Sequence, residues 1–487
     1  MSAIPFGKIA NQNIRNMPQP DMVIVAYPDF IPAADSLADF HRTHDTMVVD
    51  VVTPQQIYNE FSSGTQDISG IRDMMKMFYD NGPAAGKTPR FLLLFGPASF
   101  DYKNRIKGNT DYVPTYEGYY SLFSESSFCS DDYYALLAND EGNWPDDDFD
   151  INSQILQLSI GRLPVYSAQQ AMDMVHKVER YNNKPKSMND WRNKACFIAD
   201  DRQEDTFEDQ TESICANVVA PQQPGLNLTK LYLDATPESN TAAGQLFPQI
   251  NTGIDNSMTN GCLVMDYIGH GGPQYLAVEK VLTVNDVNSW VNPFNMPLLI
   301  TATCQFATYD DPTGISVGDL ALLNPVGGPF ALFSTTRAVE ITENYYLNLD
   351  ILSHDLFQKD ANGLAQYIGQ AFTRGKNGSN DESNGKNFAL IGDPAIRLAL
   401  PQYNIKITNI KKDSLASDTF KALSLMTISG EVVNGSQVLT TFDGDIYPTI
   451  FDKPQKQYTL GQAQGDPNDP DSPYQFASHI KNGYINF

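Results

Sequence analysis

The sequence predicts an α/β protein of two successive units with mostly parallel sheets, followed by a smaller β-rich module of sandwich type. Three observations lead there. Short apolar runs closed by Gly or Pro alternate with longer stretches whose apolar residues recur at helical spacing. The alternation stops at a polar segment containing Pro185 (residues 182–189, NNKPKSMN) and then starts again. Beyond Pro401 the helical spacing gives way to alternating strands separated by turn residues.

Residues 1–20 read as an irregular leader. The first unit, residues 21–185, opens with DMVIVAYP, a continuous apolar run that reads as a strand buried on both faces. A polar, helix-compatible stretch (Pro32 to Arg42) precedes a second strand at TMVVDVVT. TPQQIYNEF begins like a capped helix, with Thr53 placed before Pro54 at the first helical position. SGIRDMMKMFYDNG continues as an amphipathic helix, and RFLLLFGPA is a strand ended by Gly-Pro. A loop-rich segment from Ser99 to about Asn152 carries SDDYYALLANDEG and the acidic run DDDFD. LSIGRLPVYSAQQAMDMVHKVERYNN then supplies a strand, a turn and a helix.

The second unit, residues 186–400, repeats the pattern. NKACFIADD is a strand, DTFEDQTESICANVV a helix and LTKLYLD a strand, and AAGQLFPQINTGI is expected to be helical. GCLVMDYIGHGG is an apolar strand ending at His270, and TVNDVNSWVN is a short helix. MPLLITATC is a strand ending at Cys304, and GPFALFSTT is another. In residues 401–487, YNIKITNI, LMTISGEVV, DGDIYPTIFDK and SHIKNGYINF read as part of a β-sandwich. The chain stops at Phe487 on what reads as a strand, so this module is expected to be truncated within a longer protein.

Composition narrows the function classes. The 487 residues carry 33 basic and 58 acidic side chains, a net charge of −25. So negative a surface repels phosphate backbones and anionic headgroups, which argues against nucleic acid and bare membrane as partners. No apolar run approaches the roughly 20 residues that span a bilayer. The first residues, MSAIPFGKIANQNIRN, lack the apolar core of a signal peptide, so the chain is either cytoplasmic or shorn of its leader. The five cysteines (Cys129, Cys196, Cys215, Cys262 and Cys304) show neither a CxxC pair nor zinc-like spacing. They are too sparse for a disulfide scaffold.

The chemistry concentrates on two strand ends. Ligands of open α/β sheets gather beyond the carboxyl ends of the strands, and His270 and Cys304 each close an apolar run. They are 34 positions apart, room for one crossover helix, so two parallel strands can present both side chains at one edge. A thiolate is a nucleophile, and a neighbouring imidazole takes the thiol proton or stabilises the thiolate. Gly271 and Gly272 leave room for a substrate carbonyl near the backbone, and the amides of Gly271 and Cys304 are candidates for an oxyanion hole. A Cys ending an apolar strand is often only a small buried hydrophobe, and HGG alone is often a turn. The joint placement is what points to catalysis. Cys196, Cys215 and Cys262 sit among apolar residues and read as structural.

YIGHGG followed by LLITATC resembles the gingipain family of cysteine peptidases. SDDYYALLANDEG, LSIGRLPVYSAQQAMDMVHKVERY and NFALIGDPAIRLALP agree, in order, over roughly Asp21 to Pro401. The resemblance implies a caspase-like catalytic region followed by an immunoglobulin-like domain. Within the family the phrasing looks closest to the type IX secretion C-terminal signal peptidases, cell-surface sortases of Bacteroidetes. It places His270 and Cys304 on the catalytic dyad. It calls for an acid at the end of CFIADD, namely Asp201 with Asp200 as competitor, to orient the imidazole; the same pair also suits a helix cap. A specificity acid is sought at Asp209 or Glu212, which read equally as solvated helix charges, and Asn344 and Tyr345 as substrate contacts. No cofactor is expected and no metal ligands are assigned. Some relatives hold structural calcium, and Asp146 to Asp150 offer hard oxygen ligands, but that run lacks an EF-hand pattern. Two features depart from the family: no export leader, and Gln305 where an acid commonly follows the nucleophile in the sortase-like members.

The function so implied is removal of a C-terminal secretion signal from cargo proteins through a thioester. The acyl group would pass to water or to an amine of surface lipopolysaccharide, with other secretion-system components as further partners and the cell surface as location. The alternatives are a secreted digestive endopeptidase and a non-catalytic surface scaffold. Retention of both His270 and Cys304 speaks against the scaffold.

Overall fold

The computed structural model describes residues 9–119, 127–142, 154–241, 244–379 and 385–417, with shorter stretches between 420 and 484. Asp146 to Asp150 lie outside them. Ten strands form one sheet: β1 (Met22–Ala26), β2 (Val49–Val52), β3 (Phe91–Phe95), β4 (Ser159–Leu163), β5 (Lys194–Ala199), β6 (Asn227–Tyr232), β7 (Val264–Ile268), β8 (Leu298–Ala302), β9 (Ala331–Thr335) and β10 (Phe388–Ile391). Their spatial order is β2-β1-β3-β4-β10-β9-β8-β7-β5-β6. All neighbours run parallel except β9 and β10, which are antiparallel.

The apolar runs explain the sheet's burial. Every residue of β1, β3, β7, β8 and β9 is buried, as expected of strands covered by helices on both faces. Alternate residues feed two cores. Met22, Ile24 and Ala26 pack on one side, with Phe91, Leu93 and Phe95, while Val23, Val25, Leu92 and Leu94 pack on the other. The helices begin where the sequence places them. In α1 (Ile31–His44) Pro32 stands in the first turn, and α2 (Pro54–Phe61) starts with a complete capping box. There the Gln56 amide donates to Thr53 Oγ1 at 3.2 Å, and the Thr53 amide donates to Gln56 Oε1 at 2.8 Å.

Two readings change. The expected helix over AAGQLFPQINTGI begins only at Pro248, and Gly244–Leu246 pairs antiparallel with Ser239–Thr241. Proline suits the first helical turn and carries no N–H, so the helix starts there. The two series of strands also merge into one sheet. β10 does this: it returns from the second series to lie between β9 and β4, meeting β4 at the pair Ile391–Arg162.

A buried charge lies where the two series meet. Arg162, fully buried, donates to Asp131 at 2.8 and 2.6 Å and to the carbonyls of Gly96 and Val113 at 2.8 and 2.7 Å. Its guanidinium lies 4.7 Å from the Tyr309 ring centroid. The loops after β3 and β8 are joined directly, with the Ala98 amide donating to the Tyr309 carbonyl at 3.2 Å. Beyond residue 401 the strands pair antiparallel: Asn404–Lys412 with Met426–Asn434 at the centre of a four-stranded sheet, Thr449–Phe451 with Asn482–Tyr484, and Gln455–Tyr458 with Gln475–Ser478. Among the described residues no helix is long and apolar enough to cross a membrane.

Candidate active site

β7 and β8 are parallel neighbours, and Ile268 is paired with Ala302. His270 and Cys304 each lie two residues beyond that pair, at the carboxyl ends of neighbouring strands about 4.8 Å apart. Glycine makes the exit of β7 possible. A Cβ on Gly271 would sit 2.5 Å from Thr303 Oγ1, and one on Gly269 would collide with the Asp200 side chain. Gly271 and Gly272 then pair antiparallel with Leu276 and Tyr275, starting a small three-stranded sheet that carries the chain away from the site.

The His270 backbone is firmly held. Its N–H donates to Asp200 Oδ2 at 2.7 Å, and its carbonyl accepts from Tyr267 Oη at 2.6 Å and from the Ala277 amide at 2.9 Å. The imidazole, half-buried, meets the Phe207 ring edge-on at 5.4 Å between centroids. Of the five cysteines, all free, Cys304 alone is not fully buried. Its Sγ lies 3.5 Å from the Val339 amide, which donates to it, and 3.7 Å from the Val339 carbonyl, to which the thiol donates. Burial, opposed in part by the Val339 amide, raises the thiol above its usual pKa. Gln305, next in sequence, adopts φ of 52°, a left-handed backbone costly for a side chain with a Cβ. It turns the chain sharply after Cys304.

The acids behind His270 divide their work differently from the sequence reading. Asp200, fully buried at the end of β5, accepts from the His270 and Asp201 amides and, at 3.3 Å, from Tyr267 Oη. Its bond to His270 is to the main chain, not to the ring. Asp201 lies beside it; its Oδ1 is buried without a hydrogen-bond partner. Burial first, then repulsion from Asp200 and Glu279, pushes the Asp201 carboxyl up to about 8. Asp200 is also raised, chiefly by burial. Glu279, which no feature of its local sequence singles out, arrives on the loop of the small sheet and receives Arg202 at 2.6 Å.

The candidate substrate residues lie on two helices that touch each other. Asp209 and Glu212 lie on the helix Thr206–Ile214. Glu212 is engaged by Lys230 at 2.6 Å and by the Tyr232 hydroxyl. Asn344 and Tyr345 lie on the helix Ile341–Ile351, which follows the loop bearing Val339. Asn344 is buried, with Oδ1 lacking a partner, and Tyr345 Oη donates to Ser213 Oγ at 2.9 Å.

Residues 15–399 match peptidase family C25. The chain belongs to that family, the gingipain family of cysteine peptidases. Its fold is similar to that of the Arg-specific cysteine proteinase gingipain R (RgpB), with TM-score 0.61 and 13% identity, covering 82% of this chain and 83% of that one. The complex of Porphyromonas gingivalis RgpB pro- and mature domains gives 0.60 at 14% identity, covering 80% and 82%. Dimeric latent PorU from Porphyromonas gingivalis shares 20% identity at TM-score 0.48, over 98% of this chain and 39% of that one. No curated protein sequence matches the chain.

Proposed function

We propose that this chain is a cysteine endopeptidase in which His270 takes the proton of Cys304 and the sulfur attacks a peptide carbonyl. The observation that supports the reading is the parallel register of β7 and β8, whose last pair, Ile268–Ala302, lies two residues before His270 and Cys304. The thiolate adds to the carbonyl carbon, and the developing oxyanion is met by the Gly271 and Cys304 amides. Collapse forms a thioester and expels the amine, which takes its proton from His270. Water or a second amine then attacks the thioester, giving acid or amide and restoring the thiol.

The substrate we propose is the C-terminal secretion signal of type IX cargo, cut at the cell surface, with water or a lipopolysaccharide amine as acceptor. The phrasing of YIGHGG, LLITATC and SDDYYALLANDEG supports this reading over a general digestive role. Incubation with a cargo protein bearing its C-terminal domain, with and without a soluble primary amine, tests it by mass spectrometry. The expected products are the released domain and, with amine, an amide-linked cargo, both absent for Cys304→Ala. Cleavage of unrelated proteins at many sites without amine capture would instead make the chain a digestive endopeptidase.

A further inference from the structure

We infer that Asp200, Asp201 and Glu279 form a binding site for one divalent, oxygen-seeking cation, calcium by its chemistry, directly behind the segment that carries His270. Each of the three offers a carboxylate oxygen, and these oxygens lie within 4.8 Å of one another. All three side chains are buried: Asp200 is 0%, Asp201 4% and Glu279 2% exposed. Two oxygens of the group, Asp201 Oδ1 and Glu279 Oε2, are buried with no hydrogen-bond donor. Leaving a buried carboxylate oxygen unsatisfied is costly, and one ion between the three side chains would satisfy both.

Charge selects the ion. Three carboxylates meet one guanidinium, Arg202, on Glu279 Oε1 at 2.6 Å. The remaining two negative charges are balanced by one divalent cation. The donors are all hard oxygens with no imidazole or thiolate among them, which disfavours zinc. Calcium tolerates irregular oxygen cages, whereas magnesium demands a near-ideal octahedron. The ligands also come from two separate pieces of chain, the end of β5 and the loop beyond His270, so the ion would pin that loop to the sheet. The site is separate from Asp146 to Asp150 and does not depend on whether Cys304 is a nucleophile.

Calorimetric titration of the chelator-stripped full chain with calcium chloride, alongside thermal unfolding, tests this. The wild type is expected to bind calcium and unfold at a higher temperature with it. The Asp201→Asn/Glu279→Gln variant is expected to take up one ion fewer per chain. A second measurement keeps every ligand in place: terbium bound at this site is sensitised by Tyr267, whose hydroxyl is 3.3 Å from Asp200 Oδ2. Its luminescence should fall on adding calcium and fall at least several-fold in Tyr267→Phe. The proposal is overturned if the wild type takes up no calcium at millimolar concentration. It is equally overturned if the double variant, or where that fails to fold the luminescence of Tyr267→Phe, matches the wild type, since the carboxylates then hold protons instead. Binding is read without substrate, so failure here leaves the peptidase reading untouched.

Discussion

The amide of His270 donates to the carboxylate of Asp200 across 2.7 Å, and this bond joins the end of β5 to the segment leaving β7. Asp200 also accepts from the Asp201 amide at 2.9 Å. Asp200→Ala removes the acceptor for both and leaves two donors without it. It should cost about 1–3 kcal/mol in stability and lower kcat/KM by moving the base. Asp200→Asn keeps one carbonyl oxygen and should be milder. Denaturant unfolding and peptide cleavage check both; an Asp200→Ala enzyme with unchanged kcat/KM would remove Asp200 from positioning His270.

Burial raises the Cys304 thiol above its usual pKa. Alkylation by iodoacetamide in the absence of substrate should therefore increase with pH and have its midpoint above that of a free cysteine thiol. Peptide mapping across pH, with Cys304→Ala as blank, reads this at one site. A midpoint below neutrality would mean that a thiolate paired with His⁺ exists before substrate binds.

Gly271 has no room for a methyl group, since its Cβ would lie 2.5 Å from Thr303 Oγ1. Gly271→Ala should push the two strand ends apart and lower kcat/KM by roughly tenfold or more, because small misplacements of reacting groups are expensive. Thr303→Ser keeps the hydroxyl and should not restore activity, whereas Thr303→Ala in the same chain should restore part of it. Additive losses in the Thr303→Ala double variant would place the defect elsewhere.

His41, fully buried, lies between Asp45 at 2.7 Å and Asp393 at 2.8 Å. Burial alone would lower its pKa, but the two carboxylates outweigh that and raise it from 6.5 to about 9. The folded-state value exceeds the unfolded one, so the stabilisation is complete below about pH 6.5 and is lost as pH rises through 9. The contribution is on the order of 3 kcal/mol. Urea midpoints should fall between pH 6.5 and 9 in the wild type and do so less steeply in His41→Gln. Equal slopes would show that the imidazole is not the group responsible.

Arg162 satisfies Asp131 and three carbonyls at the joint between the two series of strands. Arg162→Ala leaves Asp131 buried beside an empty space and should cost about 3–5 kcal/mol. Arg162→Met/Asp131→Leu should recover much of that loss in thermal unfolding. A single variant as stable as the wild type would mean that water replaces the guanidinium.

Much of this protein was legible in one dimension. Apolar runs such as MVIVA and FLLLF became buried strands, Thr53 and Pro54 opened a helix, and His270 and Cys304 were placed at strand ends. Those signals are local: a period of two or 3.6, a cap, a residue with no N–H. The placement of Gly244–Leu246 in a hairpin failed to show because a short polar stretch carries no period strong enough to choose helix or strand.

What the sequence by itself determined was the set of elements, two candidates for thiol chemistry, and a family likeness carried by their neighbourhoods. Only the tertiary structure decided that β7 lies beside β8 in the register Ile268–Ala302, that β10 joins both series, and that Asp200 grips a backbone amide instead of a ring. Local sterics and periodicity act over a few residues and can be read along the chain. Strand pairing, and the arrival of Glu279 or Val339 at a site tens of residues away, depend on packing between distant segments, which no single stretch encodes.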